Sequence, residues 1–132
     1  MTLAGGCQCG AVRYQVSGEP AHVAFCHCVD CRRSSGAPLM AWAAYPAAGF
    51  ALTLGAPARY SSNGDAVRHF CPTCGTGLYY VNEAALPGLV DIQVASLDEP
   101  AELPPQAHIQ VAERVDWMAD IASLPEFARY PG

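Results

Sequence analysis

The spacing of seven cysteines constrains this chain more than any other feature. Cys7 and Cys9 form a CxC pair, Cys26, Cys28 and Cys31 a CxCxxC run, and Cys71 and Cys74 a CxxC pair. Cysteines that only fill a core have no reason to cluster in this way, whereas metal-bound thiolates do. The number is odd, and the opening Met1-Thr2-Leu3-Ala4-Gly5-Gly6 lacks the charged and apolar regions of a signal peptide. A complete disulfide framework is therefore not expected, and the chain reads as a cytoplasmic protein.

Two local geometries bring thiolates together. Zinc bound tetrahedrally, with zinc–sulfur bonds of roughly 2.3 Å, needs neighbouring sulfurs under about 4 Å apart. The stretch Cys71-Pro72-Thr73-Cys74-Gly75 meets this by reversing the chain. Pro72 pre-sets a turn torsion, and Gly75 allows the positive φ that aims backbone N–H groups at sulfur. Cys7 and Cys9, placed two apart on an extended strand, would share one face while Gln8 points away. The two outer pairs, each expected on its own hairpin, supply four thiolates for a closed structural site. Cys26, Cys28 and Cys31 supply only three, which leaves a coordination position for water or substrate and marks a reactive zinc. Partitions that mix the clusters satisfy the same count.

The remainder of the chain reads as β structure. Val12, Tyr14 and Val16 alternate with Arg13 and Gln15, and Val90, Ile92 and Val94 with Asp91 and Gln93. Further short runs are His22–Cys26, Leu39–Tyr45, Phe50–Leu54, Val67–Phe70, Gly77–Val81 and Ala107–Val111, with 12 Gly and 11 Pro as punctuation. Strands at this spacing predict an all-β sandwich or barrel, with helix limited to single turns around Val29–Ser35 and after Asn82. At 132 residues the chain is one domain's worth, residues 1–132. Its 23 alanines bury little area, so metal binding is expected to add folding free energy. Twelve acids against seven arginines give a charge of -5, which argues against non-specific nucleic-acid binding. No apolar run is long enough for a membrane span.

Several stretches together resemble a known family. Gly6-Cys7-Gln8-Cys9-Gly10, then Cys26-His27-Cys28-Val29-Asp30-Cys31-Arg32-Arg33 with Ser35-Gly36-Ala37-Pro38, then Phe70-Cys71-Pro72-Thr73-Cys74-Gly75 are similar to the glutathione-dependent formaldehyde-activating enzyme family, which includes the centromere protein V domain. Ser96-Leu97-Asp98, His108-Ile109 and Asp116-Trp117 agree with it in order. The resemblance implies an Mss4-like β-sandwich of short antiparallel strands with zinc-bearing hairpins. It implies two zincs, one held by Cys7, Cys9, Cys71 and Cys74 and the other by Cys26, Cys28 and Cys31. It also implies glutathione as co-substrate and formaldehyde as carbonyl partner, giving S-hydroxymethylglutathione.

Three thiolates around a divalent ion leave a formal charge of -1, which disfavours metal-hydroxide hydrolysis and suits capture of a small thiol. The expected reaction is therefore a carbon–sulfur lyase or synthase step carried by Cys26, Cys28 and Cys31. Arg32 is expected to contact the substrate carboxylate, and Arg33 lies beside it. A non-enzymatic zinc module that binds another protein, and a redox pair at Cys28 and Cys31, are the alternatives. His27 is expected to pack rather than ligate, and His69 and His108 to be structural, with acid–base work as the lesser reading. Asp30 is expected to bond backbone N–H groups within its turn. Ser34, Ser35 and Gly36 are read as a loop beside the metal, and Trp42, Tyr45, Phe50 and Trp117 as aromatic core with pocket walls as the alternative.

Overall fold

The computed structural model describes the backbone of residues 1–132 and every side chain except that of Ser62. Ten strands follow in chain order: β1 (Thr2–Gly6), β2 (Arg13–Ser17), β3 (His22–Cys26), β4 (Met40–Pro46), β5 (Phe50–Leu54), β6 (Ala58–Asn63), β7 (Ala66–Phe70), β8 (Gly77–Asn82), β9 (Leu89–Gln93) and β10 (His108–Ile109). A short helix, α1 (Val29–Ser35), joins β3 to β4. The strands form a three-stranded sheet, β1-β2-β5, and a seven-stranded sheet, β10-β3-β4-β9-β8-β7-β6. All strand pairs are antiparallel except β10 with β3.

The period-two alternation read along β2 and β9 now has a physical destination. Val12, Tyr14 and Val16 pack against Val23, Ala43, Tyr45, Leu78, Val90 and Ile92 in one core. That core lies between the two sheets and makes the molecule a β-sandwich. Tyr14 is fully buried, and its hydroxyl finds Ser96 Oγ at 2.6 Å, so the ring is buried without an orphaned polar atom. Tyr45 belongs to this core, and Phe50 packs against it. The opposite face of the large sheet carries a second, smaller cluster of Cys26, Met40 and Trp42, with Cys31 from α1 laid across them.

α1 begins and ends for local reasons. Cys28 is its N-cap, with Sγ accepting from the N–H of Cys31 at 3.2 Å. Gly36 closes it at φ 69°, where its N–H bonds the carbonyl of Arg32 at 2.7 Å. No helix follows Asn82. Its side-chain oxygen instead accepts from the N–H groups of Ala84 and Ala85, a local turn that competes with helix. The strand expected over Ala107–Val111 shrinks to His108–Ile109 because Gln110 takes a left-handed φ of 57°, and it runs parallel to its neighbour. Asp116–Ser123 forms a run of 3-10 helix that carries an exposed Trp117. No helix is long and apolar enough to cross a membrane.

Candidate metal centres

The loops after β1 and β7 meet at one end of the sandwich. There Cys7, Cys9, Cys71 and Cys74 bring their sulfurs within 4.8 Å of one another. Cys7 and Cys9 stand 3.6 Å apart, and Cys9 and Cys71 3.7 Å. These spacings suit zinc: a tetrahedron with bonds of roughly 2.3 Å has edges of about 3.8 Å. They are also far beyond a disulfide bond of about 2.05 Å. Backbone N–H groups point at the sulfurs, Val12 at Cys7 (3.2 Å) and Thr73 and Cys74 at Cys71 (3.4 Å each). Gly75 supplies the expected positive φ, 83°. The Thr76 hydroxyl stitches the loops together, since it bonds Cys74 Sγ at 3.3 Å and accepts from the N–H of Gln8 at 3.1 Å. Thr76 also holds the Cys74 thiol down to about 5.

One expectation about this quartet is corrected. Cys7 and Cys9 are not on an extended strand, because β1 ends at Gly6. The chain turns back at once, with the N–H of Gly10 on the carbonyl of Cys7 at 3.2 Å and the N–H of Cys7 on the carbonyl of Val12 at 3.1 Å. A tight loop, rather than a pleat, therefore brings the two sulfurs to the same side.

The second cluster lies on the outer face of the large sheet. Cys26 ends β3 opposite Met40, Cys28 caps α1, and Cys31 lies one turn along, with its sulfur 3.5 Å from that of Cys26. All three sulfurs are within 4.8 Å of one another, and no histidine or carboxylate joins them among the described residues. The Cys31 thiol hydrogen bonds to Cys26 and favours its thiolate, while burial pushes Cys28 up. Ser34 and Ser35 hydroxyls donate back to the carbonyl of Cys31 at 2.9 and 2.8 Å within α1.

The trio opens into a cavity of about 210 Å³ that is also lined by Asp30, Trp42, Arg68, Tyr80 and Asp91. A larger cavity of about 640 Å³ shares Trp42 and Arg68 with it and extends past Ser34, Ser35, His69 and Tyr79. Trp42 therefore walls a pocket, whereas Tyr45 is buried in the sandwich core. Asp30 does not serve its own turn. It reaches across to Arg68, with Oδ2 2.6 Å from the guanidinium, and keeps that group charged against the cost of burial. Arg68 lies over the ring of Tyr80 at 5.0 Å. Arg32 is partly buried on α1 and lines neither cavity, and Arg33 is exposed.

The histidines are placed by packing. His27 is fully buried with its Nε2 2.8 Å from Nδ1 of His108, and burial lowers its pKa. His69 stacks on Tyr79 at 4.2 Å, and burial lowers its pKa too.

Arg68 and Asp91 were not singled out from the sequence. The alternation of Val90, Ile92 and Val94 with Asp91 and Gln93 puts Asp91 on the polar side of its strand. β9 is interior to a sheet covered on both faces, so that side is buried as well. A carboxylate within an apolar run such as Val90-Asp91-Ile92 was the available signal.

Comparisons with known proteins agree with this architecture. A Halomonas elongata protein, provisionally named as a glutathione-dependent formaldehyde-activating enzyme, is 32% identical over 153 aligned positions, covering 99% of this chain and 90% of its own length. An uncharacterised lyase of Schizosaccharomyces pombe is 33% identical over 78 positions, covering 58% of this chain and 55% of its own. A crystal structure of a Rhodobacter sphaeroides protein superposes with a TM-score of 0.65 at 26% identity, covering 80% of this chain and 99% of that one. The family model for glutathione-dependent formaldehyde-activating enzymes matches residues 2–113. The chain belongs to the glutathione-dependent formaldehyde-activating enzyme family.

Proposed function

We propose that this protein is a cytoplasmic carbon–sulfur lyase or synthase that adds a low-molecular-weight thiol, glutathione foremost, to formaldehyde and runs the reverse cleavage. The observation that carries this reading is the three-sulfur cluster facing a cavity, set against a four-sulfur cluster closed between two loops. On this reading residues 1–132 act as one domain with two zincs, held by Cys7, Cys9, Cys71 and Cys74 and by Cys26, Cys28 and Cys31. Zinc at the trio would supply an open position at which a thiol is stabilised as thiolate.

The protein's own residues do the rest. The cavity of about 640 Å³ falls in the range of small-molecule sites and receives the body of the tripeptide. Arg68, which lines both cavities, keeps one guanidinium nitrogen on Asp30 and offers the remainder of the group to a substrate carboxylate. Arg32, next to Cys31, offsets the negative charge of three thiolates. Trp42 and Tyr80, 5.9 Å apart, form apolar walls that limit water at the reacting carbon.

The test is NMR exchange between glutathione, formaldehyde and their adduct with metal-loaded protein, run against the spontaneous reaction. Acceleration that saturates with glutathione supports the reading. No acceleration at any thiol concentration refutes it. Two zincs per chain, with the second more labile to chelator, is the accompanying expectation. Two chelator-resistant zincs without turnover would favour a binding module.

A further inference from the structure

We propose that Asp91 is the acid–base residue of this site, carrying the proton from the incoming thiol to the carbonyl oxygen. The inference rests on the thiol–carbonyl reading above and names the group that reading leaves out. Addition of a thiol to formaldehyde forms a carbon–sulfur bond from the sulfur electron pair and breaks the carbon–oxygen π bond onto oxygen. The thiol proton must leave sulfur and the new alkoxide must gain one, so a single carboxylate that takes the first and gives up the second balances the step. In cleavage the same group takes the hydroxyl proton and returns it to sulfur.

The geometry singles out Asp91. Two carboxylates line the cavity of about 210 Å³, Asp30 and Asp91. Asp30 is about half exposed and committed to Arg68 at 2.6 Å. Asp91 is 8% exposed, and its Oδ1 is buried without a partner among the described residues. A buried carboxylate oxygen with no donor is costly, and a native fold that retains one at a cavity wall needs a reason. Asp91 is held on the central part of the sheet, opposite Ala44 of β4 and Tyr80 of β8. Cys26 is opposite Met40 of β4, so Trp42 separates the two along that strand. Asp91 is therefore no member of the ligand set, and it lines the same cavity as the three sulfurs. At about 30 Å³ per water that space, about 210 Å³, holds formaldehyde and a bridging water, which is the reach general acid–base transfer allows.

The surroundings suit the role. The ionisable groups that share the cavity are Asp30, Arg68, Tyr80 and the three cysteines, and the rest of its wall is uncharged. Among the described residues Asp91 has no salt-bridge partner, and the guanidinium of Arg68 is turned to Asp30. Burial pushes its pKa up to about 7, which suits a group that must both accept and release a proton near neutrality.

The test uses zinc-loaded protein. In Asp91→Asn, the turnover number for adduct exchange should fall by about 10²- to 10⁴-fold, with zinc content and KM for glutathione unchanged. The bend of the wild-type pH profile near neutrality should vanish, and Asp91→Glu should recover part of the rate. A ¹³C spectrum of the wild type reads the same residue without substitution. Its carboxyl carbon should titrate near neutrality, with a midpoint that moves when glutathione is added. Turnover and pH profile unchanged in Asp91→Asn, or a wild-type carboxylate that titrates in the ordinary range, would overturn the assignment while leaving the thiol–carbonyl reading intact. A wild-type protein that fails to accelerate exchange would overturn both.

Discussion

Replacing Asp91 by Asn should make the folded protein more stable, by an amount that grows with pH. The side chain is 8% exposed, and burial alone raises its carboxyl from 3.8 to about 7. In the unfolded chain the group loses its proton near the lower value, whereas the native state holds the proton until the upper one. Between the two the native state binds more protons, so stability falls as pH rises through that window and is level above it. At about 1.4 kcal/mol per pH unit, the full cost at neutral pH and above is about 4 kcal/mol. The Asn amide is also buried and gives some of this back, so a gain of about 2–3 kcal/mol is expected, which for a chain of this length raises Tm by about 7–11 °C. The assay is thermal unfolding of zinc-loaded wild type and variant from about pH 5 to about pH 9, read as the difference between the two. Thiol and zinc titrations are common to both and cancel. A difference that does not grow toward neutrality, or a variant less stable at every pH, would refute the burial argument. A stabilised variant with impaired turnover would be a trade of stability for function at the site.

Cys71→Ser should unfold or severely destabilise the protein, because Cys71 is fully buried in the cluster that joins the two sheets; Cys26→Ser should leave the melting curve largely intact while lowering zinc content by one equivalent. Equal losses of Tm would count against any division between the two clusters. Arg68→Met should raise KM for glutathione by about 10- to 100-fold, the worth of one charge-assisted hydrogen bond, with a smaller change in turnover number; titration of glutathione in the exchange assay reads this directly. Leu78→Ala, at a fully buried position of the sandwich core, should cost about 2–5 kcal/mol by denaturant unfolding and leave both zinc sites loaded. Gly5→Ala should also destabilise, since a Cβ there would lie 2.7 Å from both the Tyr14 hydroxyl and the Ser96 carbonyl; a neutral result would mean that the Tyr14–Ser96 bond yields at little cost.

What was legible in the sequence follows from what each signal encodes. Arg13–Ser17 was legible because its alternating polarity matches an alternating burial, whereas Phe50–Leu54 and Leu89–Gln93 alternate in the sequence but are respectively largely exposed and buried on both faces. β1 was not, because Thr2-Leu3-Ala4-Gly5-Gly6 is small rather than β-branched, and its glycines are needed where Tyr14 and Arg13 pack against the backbone. β6 was not, because Ala58–Asn63 is a polar edge strand. The CxC and CxxC pairs were legible from spacing because they are local geometries, whereas the joining of Cys7 and Cys9 to Cys71 and Cys74 across 62 residues is set by the meeting of two hairpins. The cavity was not, because Trp42, Arg68, Tyr80 and Asp91 come from β4, β7, β8 and β9 and meet only across the sheet. Their register is a tertiary fact that no short window contains.

The positions of the two sulfur clusters would let one chain carry both the fastener and the reactive site of the proposed function. The quartet draws one pair from the three-stranded sheet's hairpin and one from the seven-stranded sheet's, so a metal there closes the sandwich across its own core. Cys7 and Cys71 belong to that core, while Cys9 and Cys74 reach toward its rim, so loss of this metal would loosen the packing between the sheets. The trio takes all its sulfurs from one side of a single sheet and the helix laid on it. A change of ligation there moves α1 or Cys28 without disturbing the packing between sheets. α1 is only seven residues long, and its N-cap is one of the three cysteines, so the start of the helix and the ligand set are the same object. Loss of metal from the trio should therefore fray α1 and release Asp30 from Arg68 while the strand amides keep their protection. Hydrogen exchange on partially chelated protein would read this, with faster exchange confined to Val29–Ser35 as the expected pattern. Uniform loss of protection across both sheets would show that the two clusters are not independent.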